Sequence, residues 1–223
     1  MNELVKNKEY SRIIFIAGMH SSGKSKLLSM IPKMDKVILW PRLARKELFS
    51  EAQYRANTLS VHDSRRNYQR LQRRLADCFD EFFYQKKFIE LNPEYFIISD
   101  RCPLDVLSYI KACADLGWIK KHETEEIRGE FNRLFDLDEL QCGIFLEPLV
   151  RDAKKEFFNR INLKNSKDWE IKSGFLKSTH LAFRDVYHNH ISSKSLRWIV
   201  IESSALISSH NKVVDYIKSV TLK

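Results

Sequence analysis

Glycine and proline are scarce in this chain, at 6 and 5 of 223 residues. With them go low-complexity tracts, internal repeats and Pro/Gly-rich linkers, so nothing divides the chain into separate units. Cysteine is scarcer still. Cys78, Cys102, Cys113 and Cys142 are scattered and form no C-x-x-C pair. That excludes a disulfide scaffold and the common zinc spacings, and it fits reduced thiols in a cytoplasm. Long apolar runs are missing as well. The longest, Ile13 to Ala17, falls far short of the roughly 20 residues that cross a bilayer, so no membrane partner is expected. The first ten residues alternate charge and polarity, without the basic-then-apolar order of a secretory leader.

What is present suits one globular domain over residues 1–223. Apolar residues make up 43% and charged residues 30%, and the length supports a single α/β core. The net charge of +9 and a pI near 9.3 point to anionic partners: a nucleotide, a nucleic acid or an acidic protein.

Two of the six glycines fall in Gly18-Met19-His20-Ser21-Ser22-Gly23-Lys24-Ser25. The pattern G-x-x-x-x-G-K-S holds phosphate only where it follows a strand and opens a helix. Both conditions are met. Ile13-Ile14-Phe15-Ile16 reads as a buried strand, and Ser25 to Ile31 carries apolar residues at helical spacing until Pro32 stops it. Backbone N–H groups of such a loop wrap phosphate, and glycine lets the backbone come close. Lys24 reaches the β- and γ-phosphates and the Ser25 hydroxyl ligates Mg²⁺. His20, Ser21 and Ser22 fill the variable positions, and Lys26 completes the nucleotide-binding set.

Further along, Lys36 to Trp40 reads as a second strand, ending at Pro41-Arg42. Residues 47–60 lack a clean period and read as a lid-like connection or an irregular helix. Asp63 or Ser64 caps a long helix reaching about Leu91, with Leu71, Leu75, Cys78, Phe79, Phe82 and Phe83 on one stripe. Tyr95 to Ser99 is a third strand, Gly143 to Leu146 a fourth and Trp198 to Ile201 a fifth. Helices are expected over 103–116, 123–135, 152–161, 175–191 and 210–220. The alternation implies a mostly parallel sheet covered on both faces. His188 and His190 lack the partners of a zinc site and read as a surface helix end.

Asp100 and Arg101 come directly after the third strand. In an open parallel sheet ligands bind beyond the carboxyl ends of strands. Asp100 there can hold Mg²⁺ or its water, and Arg101 can neutralise the acceptor or the transferring phosphoryl group. The competing reading makes the pair a helix cap.

Three stretches together, GMHSSGKS, SDRCPLDVLSY and IFLEPL leading to Arg160, make the chain resemble the P-loop nucleoside and nucleotide kinases, the thymidylate and deoxynucleoside kinases above all. The resemblance implies a P-loop NTPase fold, an α/β sheet of five parallel strands in the order 2-3-1-4-5, with a lid after the fourth strand at about 160–174. It implies ATP and Mg²⁺ as cofactors, Ser108 and Tyr109 in the helix after the Asp-Arg pair, and Arg160 as a lid contact to ATP.

The acceptor is less constrained. No acid follows the second strand until Glu47, whereas Arg42 and Arg45 stand there, as suits a phosphate-bearing acceptor that needs charge neutralisation. A hydroxyl acceptor needs a base, a task within reach of Asp100. Arg70 and Arg73 on the long helix are candidate acceptor contacts with Arg42, Arg45 and Arg101. The expected substrate is therefore a nucleoside or nucleoside monophosphate. Five arginines between Arg65 and Arg74 keep a polynucleotide acceptor in play. An NTP-dependent switch or nucleic-acid-binding ATPase is the reading from another class. The oligomeric state is not fixed, a homodimer among the options.

Overall fold

The computed structural model of the chain describes residues 12–20, 22–40, 63–147, 174–192 and 197–221. Five parallel strands form one sheet: β1 (Ile13–Ala17), β2 (Val37–Leu39), β3 (Phe96–Ser99), β4 (Cys142–Glu147) and β5 (Arg197–Glu202). Their order is β2-β3-β1-β4-β5. Ile13, Ile14 and Phe15 pair with Ile97, Ile98 and Ser99 on one side. Ile14 to Ala17 pair with Cys142 to Phe145 on the other. Every residue of β1 is buried, as a central strand covered on both faces requires.

The helices are α1 (Lys24–Met30), α2 (Ser64–Leu91), α3 (Pro103–Asp115), α4 (Lys121–Leu134), α5 (Phe175–Ser192) and α6 (His210–Thr221). The period-2 alternation of β1 sorts the core into two layers. Ile13, Phe15 and Ala17 face one cluster with Leu71, Cys78, Phe82, Cys113, Phe131 and Tyr187. Ile14 and Ile16 face a second with Leu27, Cys142, Val213 and Ile217. All four cysteines are buried and free. Burial raises each thiol, Cys113 to about 12.

Local chemistry explains the boundaries. The Asp63 carboxylate accepts the Arg66 N–H at 2.9 Å and starts α2, while the Ser64 hydroxyl donates to Glu123 at 2.7 Å and ties α2 to α4. Pro103 sits in the first turn of α3, where a missing N–H costs nothing. At Gly143 the Trp198 ring lies 2.5 Å from where a Cβ would stand, so β4 passes β5 only without a side chain.

Two details of the sequence reading change. Phe83 does not share the buried stripe of α2 and is 46% exposed, because it lies off the line set by Cys78, Phe82, Gln85 and Ile89. His190 is buried rather than at a surface. Its ring meets the Leu140 carbonyl at 3.1 Å, beside the Trp198 indole N–H bonded to the same oxygen at 2.9 Å. The connection over 47–60, the helix expected over 152–161 and nearly all of the lid lie outside the described residues.

Candidate active site

β1 lies between β3 and β4, where the chain switches from building one half of the sheet to the other. A crevice at such a point is where open α/β sheets bind ligands. The loop from Gly18 to Gly23 leaves β1 there and opens α1.

The loop is built on glycine geometry. Gly18 has φ +142° and Gly23 φ +95°, conformations that L side chains rarely adopt. A Cβ on Gly18 would lie 2.8 Å from the Leu146 carbonyl oxygen and 2.7 Å from the Ser22 hydroxyl. Gly23 is the residue preceding α1. The Lys24 ammonium donates to the Gly18 carbonyl and, at 3.0 Å, to the Met19 carbonyl. Ser25 and Lys26 are exposed at the helix start, whereas Ser22 is buried. Ser21 is outside the described residues.

His20 does more than fill the loop. Its backbone N–H donates to the Tyr109 hydroxyl at 3.1 Å, and its ring nitrogen Nδ1 meets the same hydroxyl at 3.1 Å. The imidazole is nearly parallel to the rings of both Tyr109 and Phe175, with centroids 6.2 and 6.1 Å away. Arg74 sits over the other partner, 5.2 Å from the Tyr109 ring centre. α3 and α5 thereby brace the loop through one histidine.

Asp100 and Arg101 follow β3, the strand next to β1. They do not cap α3: its N-cap is Cys102, with no side-chain bond. Asp100 Oδ1 is buried without a hydrogen-bond partner, a costly state for a carboxylate oxygen unless a cation or donor meets it. The turn carrying the pair is fixed from below. Gln85 donates to the Ser99 hydroxyl at 2.8 Å, and that hydroxyl donates to the Arg101 carbonyl at 2.9 Å.

Arg101 opens onto a narrow pocket, with room for about one water, that also takes in Glu81, Phe82 and Gln85 of α2, Phe15 of β1 and Ser99. Glu81 and Gln85 are one helical turn apart, which puts both on the same face. Of the α2 arginines, Arg70 is buried, Arg74 is half-buried against Tyr109, and Arg65, Arg66 and Arg73 are exposed. Burial lowers the Arg70 guanidinium, and the Arg66 and Arg74 charges lower it further. Ser108 turns back on its own helix, donating to the Leu104 carbonyl at 2.8 Å. Arg42, Arg45 and Arg160 lie outside the described residues.

One further residue joins the loop. Asp105 Oδ1 accepts the Gly18 N–H at 3.2 Å and the Tyr187 hydroxyl at 2.7 Å. Burial, the largest effect, leaves its carboxyl raised above the ordinary value, against the downward pull of Lys24, the Tyr187 hydroxyl, the Gly18 N–H and Arg101. Neither Asp105 nor Glu81 and Gln85 stands out in the sequence. An acid in a first helical turn reads as ordinary dipole pairing, and a Glu or Gln on a long amphipathic helix reads as solvated.

No family model and no curated protein matches the sequence. Solved structures match the fold. Deoxyadenosine kinase from M. mycoides with bound dCTP superposes with a TM-score of 0.67 at 13% identity, over 93% of this chain and 98% of that one. The same enzyme with products dCMP and dCDP gives 0.63 at 14%, over 93% and 99%. With bound dATP it gives 0.60 at 15%, again over 93% and 99%. The chain has the deoxyadenosine kinase fold. The strand order 2-3-1-4-5 that the family resemblance implies is the order found. Among the described residues no helix is long and apolar enough to cross a membrane.

Proposed function

We propose that the chain is an ATP-dependent phosphotransferase whose acceptor is a nucleoside. The observation that carries the reading is the convergence of two motifs about 80 residues apart in sequence. The Gly18–Ser25 loop and the Asp100–Arg101 pair leave adjacent strands and meet at one end of the sheet. The fold shared with a kinase solved with dATP, dCTP and dCMP supports the same reading.

The donor side is assigned as follows. The loop backbone and Lys24 hold the triphosphate, with Lys24 leaving its loop carbonyls for the β- and γ-phosphates. Mg²⁺ fits the residues present: an exposed Ser25 hydroxyl and the unpartnered Asp100 Oδ1 are hard oxygen donors, with waters and phosphate to complete six. When bound it neutralises charge shared between the β- and γ-phosphates.

The reacting hydroxyl of the acceptor, rather than the whole nucleoside, is assigned to the narrow pocket beside Arg101. A carboxylate there, Glu81, repels a monophosphate but accepts a hydrogen bond from a hydroxyl. That favours a nucleoside over a nucleoside monophosphate. The acceptor oxygen attacks the γ-phosphorus, the bond to the bridging oxygen breaks, ADP carries away the negative charge, and the hydroxyl proton passes to Glu81. Arg101 faces the charge that develops on the moving phosphoryl group.

The test is transfer of labelled γ-phosphate from ATP, with nucleosides, nucleoside monophosphates and oligonucleotides offered separately. Label on a nucleoside, lost in Asp100→Asn and Arg101→Ala variants that keep their melting temperature, is the expected result. Label on a monophosphate alone would overturn the acceptor assignment. Absence of any labelled product, with ATP hydrolysed to phosphate, would overturn the phosphotransferase reading.

A further inference from the structure

Gly18 is held from both sides. Its N–H donates to Asp105 at 3.2 Å, and its carbonyl accepts from the Lys24 ammonium. A single residue therefore stands between a buried carboxylate and the cation of the phosphate loop. The far side of the carboxylate is tied to α5 by the Tyr187 hydroxyl at 2.7 Å, and Tyr187 is itself among the largest fully buried side chains.

We propose that Asp105 is a positioning residue that pins the first glycine of the loop and whose negative charge sets how tightly the loop holds a nucleoside triphosphate. The proposal rests on the phosphotransferase reading and adds a residue that neither motif contains.

Pinning alone does not call for a charge. The oxygen of a neutral amide accepts the same two hydrogen bonds, and burying it costs far less than burying a carboxylate. A charge on Asp105 stands one residue away from Lys24, linked through the Gly18 N–H and carbonyl, and Lys24 is the loop cation placed to feel it. Before nucleotide arrives, Asp105 balances Lys24 across the Gly18 residue. An incoming polyphosphate competes with Asp105 for that cation and meets a like charge behind the loop. The charge thus weakens the hold on both ATP and ADP, and it favours release of product. The other titratable or charged groups around Asp105 are Arg101 and Cys102 beside its own helix, Cys78 on α2 and Tyr187 on α5. None of them carries an opposing negative charge at neutral pH, since burial raises both thiols and the phenol.

The discriminating variant is Asp105→Asn, which keeps the accepting oxygen and removes the charge. ATP and ADP, each with Mg²⁺, are titrated into the full chain by calorimetry near 0.15 M salt. The expected result is a Kd about tenfold lower for both nucleotides than in the parent, as removal of one like charge at short range predicts. A loss of structure would weaken binding, so a gain reports the charge itself. Asp105→Ser, a smaller neutral acceptor, supplies the same comparison should the Asn variant not fold. An unchanged or higher Kd in a folded neutral variant overturns the proposal and leaves the phosphotransferase reading intact. A parent that binds neither nucleotide overturns that reading and the proposal with it.

Discussion

At the scale of single residues, the loop tests most directly. Lys24→Ala removes the ammonium that the proposed function assigns to phosphate, and two bonds to loop carbonyls. Phosphoryl transfer should fall by about a hundredfold or more, while stability changes by only about 1 kcal/mol. Single-turnover assay and thermal melting separate the two. Two glycines should respond in opposite directions to alanine. At Gly18 the φ of +142° and the Leu146 carbonyl leave a Cβ no room, so Gly18→Ala should cost at least about 1–3 kcal/mol. Gly129 lies within α4 with nothing within 4 Å of its missing Cβ. Gly129→Ala should stabilise by roughly 0.4–1 kcal/mol, read as a shift of the denaturation midpoint.

At the scale of elements, α2 and α5 carry separable predictions. Arg65, Arg66 and Arg73 form the exposed part of the α2 cluster. With a nucleoside acceptor, neutralising all three should leave turnover and its salt dependence unchanged. With a polynucleotide, each lost phosphate contact would flatten the slope of log affinity against log salt by about 0.7–0.9. On α5, burial lowers both His180 and His190 below their ordinary 6.5. The folded state therefore favours the neutral rings. Their contribution is intact above 6.5 and is lost as pH falls below it. His190→Gln should flatten that acid-side loss in a series of melts between pH 7 and 5. The elements themselves were readable from sequence, since capping at Asp63, Pro103 in a first turn and period-2 burial in β1 are local signals. The Gly18–Ser25 loop and the Asp100–Arg101 turn were readable for the same reason, each being a strand followed by an unusual polar turn. Asp105, Glu81 and Gln85 were not. Their roles depend on which side of a helix meets the sheet and on groups far away in sequence, such as Tyr187 and Arg101, and no periodicity encodes those partners.

At the scale of the whole molecule, the parallel sheet is a partition. Phe15 and its neighbours face the layer of α2 to α5, while Ile14 and Ile16 face that of α1 and α6. The site sits across the partition, with Lys24 on α1 and Arg101, Asp105 and Tyr109 on the other side. The cysteines are divided by it too: Cys78, Cys102 and Cys113 lie in the first layer and Cys142 in the second. With every thiol buried, the native chain is inert to an alkylating reagent, and each cysteine is a clock for the opening of its own layer. Pulse alkylation followed by mass spectrometry of the separate peptides would time the layers independently, with no engineered label. Equal rates at all four sites mean that the layers come apart in one cooperative event. Earlier labelling of Cys142 would mean that the thin α1–α6 layer peels away first, taking Lys24 with it while the pocket beside Arg101 still stands.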